Sequence, residues 1–409
     1  MAEATRDRDP HAGQLRPEDP AFRTVGLALF AGAIAMYASM YAPQPILPLL
    51  SHALGIPPAA ASLAVSATTA SLAVTTLFTG SLTDAVGRKS IMTIALFATG
   101  IIGVLAGLAP GFGSLLALRA VEGVVLAAMP AAAMAYLAEE VNPRALGMAM
   151  GLYISGNSVG GMSGRIVSGI LADYFGWRVS LGSIGVVSLL AAIWFVRALP
   201  PSRHFHPRPL HLRGVFTSLG HSLRDPGLRY LYVCSFLLAG GLVTLFNYIT
   251  FALMAPPYNL SAIWVSWIFL VYLVGTFSST LLGRLSDRFG RGVMRFSVAV
   301  MLAGAVATLA PSLVLKLLAM ALFTFGFFGS HSIASRWVGV RAGRNVAPAS
   351  GVYLFFFYVG SSLSGTGGGF VYSSFGWPGV VIQLAIMICL VLVATFLLSR
   401  LPEPKSDLA

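Results

Sequence analysis

The run Leu118-Arg119-Ala120-Val121-Glu122-Gly123 sets a cation and a carboxylate three residues apart inside an otherwise apolar stretch. At helical spacing the two share a face and can pair. Buried in hydrocarbon they must face each other or a cavity, because a lone charge there is costly. If the stretch enters the membrane near Gly113, Glu122 lies roughly 15 Å deep at a rise of about 1.5 Å per residue, near the midplane. Burial favours the neutral acid and Arg119 favours the carboxylate, so Glu122 is either a candidate proton carrier or half of a static ion pair. Arg165 lies in the next apolar run. It could approach Glu122, bind an anionic substrate or reach toward the surface near Asp173. The two arginines against one acid leave the region at +1, a hint toward polar or negatively charged substrates. His331, between Ser330 and Ser332, is a possible proton relay or simply a hydrogen-bonded histidine, and Lys316 is expected to snorkel at a helix end.

A second arrangement occurs twice. Gly80-Ser81-Leu82-Thr83-Asp84-Ala85-Val86-Gly87-Arg88-Lys89 is echoed by Gly283-Arg284-Leu285-Ser286-Asp287-Arg288-Phe289-Gly290-Arg291-Gly292, 203 residues on. In both, a carboxylate lies between glycines with cations behind it, which suits a tight turn between antiparallel helices at a membrane boundary.

The elements that position these groups follow from composition. The chain is 56% hydrophobic and 10% charged over 409 residues, too apolar to coat a soluble body of that size. Continuous apolar stretches predict an all-α integral membrane protein of twelve spans, near 24–50, 60–83, 90–109, 112–138, 145–172, 177–199, 228–254, 261–285, 293–310, 312–337, 348–372 and 378–400. The expected organisation is a tail (1–22), a six-helix bundle (23–199), a polar loop rich in proline, arginine and histidine (200–227), a second six-helix bundle (228–400) and a short tail (401–409). Lys and Arg cluster in alternate connections and are missing from Ser51 to Pro58, Ala109 to Gly113, Ala255 to Ser261 and Ser373 to Pro378. The positive-inside rule then accounts for the net charge of +12 without a nucleic-acid partner and puts both termini in the cytoplasm. No cleaved signal peptide is expected ahead of the first span. Cys234 and Cys389, each in an apolar run, read as small hydrophobes rather than a disulfide.

The repeat extends beyond the turns. Gly123 matches Gly326 at the same offset, and at an offset of 200 Gly151-Leu152-Tyr153 matches Gly351-Val352-Tyr353 while Phe175-Gly176-Trp177 matches Phe375-Gly376-Trp377. Parallel repeats of this kind place a substrate site between the halves. With these motifs the chain resembles a major facilitator superfamily transporter of the drug:proton antiporter branch, over about Arg23 to Arg400. The turn GSLTDAVGRKS is similar to that family's signature after span two. The resemblance implies a conformational latch between the halves at Gly80, Asp84, Gly87 and Arg88, with Gly283, Asp287, Gly290 and Arg291 as its symmetric counterpart. The span-four run is similar to the family's R-x-x-Q-G motif, whose arginine is linked to proton coupling, with Glu122 where Gln is usual. The glycine-rich run 151–164 resembles the antiporter motif of span five but lacks its Gly-Pro pair, which weakens the case for export.

The combined expectation is a secondary transporter that exports a drug-like molecule, sugar or metabolite across a bacterial-type inner membrane by alternating access in exchange for protons. The alternatives are a proton-coupled importer or facilitator, and a membrane sensor without flux. Tyr37, Tyr41, Gln44, Asn247, Tyr248 and Tyr358 are expected to line the cavity. No nucleotide-binding loop, metal cluster or nucleophile constellation occurs, so no cofactor, metal or enzymatic activity is expected. The expected partners are a small-molecule substrate, protons and the lipid bilayer, with the protein acting as a monomer.

Overall fold

A computed structural model describes residues 14–205, 219–220, 222–290 and 292–401; most of the central loop, Arg291 and the outermost parts of both tails lie outside the described residues. Nine of the described helical stretches are long and apolar enough to cross a membrane, and Gly292–Ala307 is a shorter apolar helix. Two of the nine, Pro143–Ala198 and Val346–Ser399, run for 56 and 54 residues, too far for one crossing at about 1.5 Å per residue. Each turns at a glycine with a left-handed φ, Gly176 at 81° and Gly376 at 63°. Ten helical stretches, two of them double, make twelve spans in the order the sequence predicts.

Three spans carry breaks that hydropathy alone does not show. Span one runs as Pro20–Tyr41, a 3₁₀ turn Gln44–Ile46 and a last helix Leu47–Leu54. Span four is Phe112–Leu126 followed by Ala128–Glu140. Span eight passes through a 3₁₀ stretch, Ile268–Val271, between Ala262–Trp267 and Tyr272–Phe289. Span two is Pro58–Val86, span three Arg88–Gly107, span seven Pro226–Met254 and span ten Leu313–Ala342.

Two large buried clusters form. One draws its side chains from Phe22 to Leu199 with Tyr358 added, the other from Leu228 to Leu398 with Ile166 added. Bulk hydrophobicity cannot drive helices together in lipid, so close backbone approach does that work. Gly156, Gly160 and Gly164 of span five press on Phe30, Ile34 and Ala38 of span one, four-residue ridge against four-residue ridge. A methyl group on Gly160 would fall 2.5 Å from the Ile34 carbonyl oxygen, and one on Gly164 would fall 2.3 Å from Ala38 Cα. The second bundle repeats the contact, Gly360 of span eleven lying against Phe236 of span seven.

Asp225 anchors the second bundle by capping span seven. Its carboxylate accepts from Leu228 N–H at 2.8 Å and from Arg341 Nε of span ten at 2.5 Å. Burial pulls its pKa upward, but the Arg341 guanidinium and the backbone N–H groups outweigh that and hold it below 3.8. A folded-state value below the unfolded one means that the contribution is fully present above the unfolded pKa and is lost as pH falls through the folded one.

Two stability experiments follow. Gly164→Val should lower the melting temperature of detergent-solubilised protein by several degrees, since overpacking costs roughly 1–3 kcal/mol, whereas Gly151→Val should not, because nothing stands within 4 Å of that position. Asp225→Asn should reduce stability at neutral pH and flatten the acid limb of the stability profile below about pH 4; an acid limb identical to wild type would show that Asp225 carries none of it.

Candidate functional site

A cavity of about 870 Å³ lies between the halves, within the roughly 300–1,000 Å³ range of small-molecule sites. Its mouth is at the charged turns, where Gly80, Ser81, Thr83 and Asp84 face Leu219, Ala347 and Pro348, and its inner end is Met36, Tyr37, Met40 and Tyr358. Of the six residues expected to line it, Tyr37 and Tyr358 do so. Tyr41, Gln44, Asn247 and Tyr248 belong instead to the closed region beyond the inner end. The physical reason is that the two bundles meet there, away from the charged turns, and leave no space between them.

The seal is made by close packing and polar ties. Ala59, at the start of span two, stands where a methyl group on Gly369 of span eleven would have to go, and Ser266 of span eight blocks the same space beside Gly169 of span five. Ser362 Oγ donates to the Ser66 carbonyl at 2.9 Å, and Asp173 accepts from Ala262 N–H at 3.1 Å. Gln44 Nε2 donates to Asn247 Oδ1 at 2.8 Å, joining residues 203 positions apart, so the two are counterparts under the offset that relates the charged turns.

Arg119 and Glu122 do pair, at side-chain exposures of 2% and 0%. Every guanidinium nitrogen of Arg119 is engaged: Nε donates to the Ala64 carbonyl at 2.8 Å, one terminal nitrogen to Ser39 at 3.1 Å and to Glu122, and the other to the Met40 carbonyl at 2.6 Å. Ser39 Oγ donates to the second Glu122 oxygen at 2.5 Å. The pair therefore ties span four to spans one and two. Gly123 permits the approach, since a methyl there would fall 2.1 Å from the Thr68 carbonyl oxygen. In this state the carboxylate is shut away from the cavity, one residue from Met40 of its wall through Ser39.

Arg165 takes neither of the two structural routes open to it in sequence. It does not approach Glu122 and does not reach Asp173, which caps span eight. Its Nε donates to Gln44 Oε1 at 2.6 Å and its terminal nitrogen to the Gly161 carbonyl at 2.5 Å, while the rings of Tyr41, Tyr272 and Phe269 surround the guanidinium at 4.0, 4.8 and 5.2 Å. Tyr272 and Phe269 come from the second bundle, so the ring faces bridge the halves. Lys316 is likewise buried, bonded to the Thr308 carbonyl and lying near Tyr258 and Trp377. Its connection folds over the helix end and takes the place of the solvent it was expected to reach. His331 meets the Tyr353 hydroxyl at 3.0 Å and stacks on Phe327.

At the turns Gly87 and Gly290 have left-handed φ values of 100° and 63°, which a side chain would strain. Asp84 pairs with Arg88 at 2.6 Å in its own half, and Arg88 also binds Glu139 of span four at 2.7 Å beneath the ring of Phe205. Asp287 pairs with Arg336 of span ten, while its expected partner Arg291 lies outside the described residues. Glu139 and Arg336 were not singled out in sequence, because only the packing of span four on span three, and of span ten on span eight, brings them to the turns. The Gln44–Asn247 tie had a visible signal in the shared offset.

Two six-span bundles around a cavity open at one face define a helical membrane transporter. The family model of the Major Facilitator Superfamily matches residues 29–365, and the chain belongs to that family. It is 46% identical over 397 residues to the "Uncharacterized MFS-type transporter YybF" of Bacillus subtilis (strain 168), covering 96% of this chain and 98% of that one. It is also 46% identical over 382 residues to the "Inner membrane transport protein YnfM" of Escherichia coli (strain K12), covering 93% and 92%. A bacterial homologue of the human lysosomal transporter Spinster, solved inward-facing and occupied, shares the fold at a TM-score of 0.80 and 17% identity, over 93% of this chain and 97% of that one.

Arg119→Leu should be strongly destabilising, by about 3–5 kcal/mol, because it strands the Glu122 carboxylate. Adding Glu122→Leu should restore part of the loss, and a double-mutant cycle on thermal unfolding reads the coupling. Strictly additive losses would show that the pair is not the tie between spans four, one and two.

Proposed function

We propose that the protein exports a small organic compound across a bacterial inner membrane by alternating access, in exchange for protons, as a monomer with both termini in the cytoplasm. The observation that carries this reading is the cavity between the bundles, open at the charged turns and sealed at the opposite end. The alternation of Lys and Arg between connections supports the assignment of the open face to the cytoplasm. In that orientation the cavity accepts its cargo from inside. Rocking of the bundles would close the mouth and part the seal at Gln44–Asn247.

Two groups change surroundings in such a cycle. Asp84 lies at the mouth opposite Ala347 and Pro348, so closure brings it against the start of span eleven. There it could exchange its partner Arg88 for contacts across the halves, which is the latch role. Glu122 is held by Ser39 of span one and by Arg119 of its own span, which also donates to the Met40 carbonyl of span one, and span one also walls the cavity. A shift of span one would part these contacts and change the surroundings of the carboxylate. Glu122 is therefore the proposed proton carrier, and the residue it carries in place of the family's usual Gln supports coupling at this point.

Proteoliposomes with an imposed pH gradient test the coupling. Wild-type flux should follow the gradient, and Glu122→Gln should abolish that dependence while leaving exchange at equal pH; gradient-driven flux at wild-type rate in the variant removes Glu122 from the role. Asp84→Asn should lower flux at least tenfold more than it lowers folded protein in the membrane, and equal losses of both would reject the latch.

A further inference from the structure

Arg165 stands out because its charge is not matched. It is 2% exposed, and no carboxylate among the described residues stands within salt-bridge distance. By contrast Arg119, equally buried, has Glu122. Neutral acceptors and ring faces lessen the desolvation of a guanidinium but do not neutralise it, whereas an anion would. The acceptor it holds, Gln44, is the same side chain that reaches across to Asn247.

The opposite side of that bridge lacks a partner. Asn247 Nδ2 and Ser66 Oγ are both buried and neither has a hydrogen-bond partner. They meet beside Gly365, where a methyl group would lie 3.4 Å from the amide nitrogen and 3.5 Å from the hydroxyl oxygen. Under the offset of 200 that relates spans five and eleven, Gly365 occupies the position of Arg165. One half presents an arginine to its amide and the other presents a glycine, with Val243 the nearest side chain. The cluster is thus rich in donors and short of acceptors, which is the composition of an anion site.

Its place is also fitting. Tyr37 and Met40 end the cavity, and Tyr41, which covers Arg165, is one helical turn further along span one. A molecule filling the cavity thus has its leading end one helical turn from this cluster, with the Tyr41 ring between them.

We propose that Arg165 receives the carboxylate of an amphipathic organic acid, and that the carboxylate takes Gln44's place as its acceptor and so releases the Gln44–Asn247 tie between the halves. Binding energy from the anion is then spent on parting the seal, so that the cargo itself favours the change of access. A carboxylate fits the planar guanidinium in a two-oxygen geometry that a single amide oxygen cannot match. The apolar walls, Met36, Leu72 and Tyr358 among them, suit a hydrophobic body behind the charged group. The inference rests on the transporter reading but is tested by binding, so the two can fail separately.

The test uses purified full-length protein in detergent and three anion–amide pairs of equal shape: benzoate with benzamide, phenylacetate with phenylacetamide, and indole-3-acetate with indole-3-acetamide. At least one anion should raise the melting temperature in a saturable way, with its amide at least tenfold weaker. Arg165→Gln should erase the difference between anion and amide, and Arg165→Lys should keep part of it, which a merely structural arginine would not predict. Gln44→Glu, which places a carboxylate beside Arg165, should melt higher than wild type and no longer respond to the anions. Equal responses within every pair, no response from any anion, or discrimination that survives in Arg165→Gln would overturn the proposal. Saturable anion binding without flux in proteoliposomes would instead sink the transporter reading and leave the anion site standing.

Discussion

Two arginines sit in the apolar interior, and the need to replace the water stripped from them governs how the first bundle is assembled. A guanidinium offers five N–H donors in a fixed plane and cannot shed its charge. Arg119 meets that demand with carbonyls of spans one and two and with Glu122, so three spans converge on one side chain. Carbonyls inside a helix are already engaged by the helix itself, and their second lone pair is what Arg119 uses. The backbones must therefore come close. Gly123 makes room against Thr68, and the small residues of span five make the equivalent room against span one. Charge burial and glycine placement are in this sense one constraint, because long side chains at those glycines would hold the carbonyls out of reach.

The second bundle buries no arginine among the described residues, its buried cation being Lys316 of span ten, and it is built differently. Leu322 stands where Arg119 would have its counterpart, and that residue is exposed toward the surroundings. Its core is instead aromatic, with Phe246, Phe269 and Tyr272 in contact and Phe327 stacked on His331. The bundles therefore share a frame but not an interior. The frame comes from the doubled turns, the glycine kinks at Gly176 and Gly376 and the matched contacts of spans one with five and seven with eleven. The interior of the first bundle carries the Arg119–Glu122 pair, and the second offers the rings of Phe269 and Tyr272 to Arg165.

This division explains what could be read from the sequence. Span number and order were legible because lipid forces each crossing to be a continuous apolar helix, and the turns at Gly176 and Gly376 fall in the gaps read between spans five and six and between spans eleven and twelve. The Arg119–Glu122 pair was legible because three residues on a helix fix a shared face without reference to anything else. The breaks in spans one and eight were not, since a 3₁₀ turn inside an apolar run leaves hydropathy unchanged. The partners of Arg165 were not legible either. Its neighbours come from spans one and eight, 121 residues away at Gln44 and 107 (272 minus 165) at Tyr272, and only the meeting of two bundles brings them together. The same holds for Glu139 beside Arg88 and for Arg336 beside Asp287, which depend on the packing of neighbouring helices rather than on the turn motif.

The placement of the seal has a mechanical consequence. Gln44 and Asn247 are counterparts, so a hydrogen bond between them lies on the pseudo-symmetry axis, where rocking of two similar bodies separates equivalent points symmetrically. A tie on that axis resists opening without favouring either bundle. Arg165 removes the balance, because it grips the Gln44 side only, while Asn247 keeps a free amide beside Gly365. Once the tie parts, the cation stays with the first bundle and the unpaired donors stay with the second. The newly opened face would then hold positive charge on one wall and neutral donors on the other. An oriented site of that kind can grade its grip on a charged group by the distance between the bundles, strong when they are close and weaker as they separate.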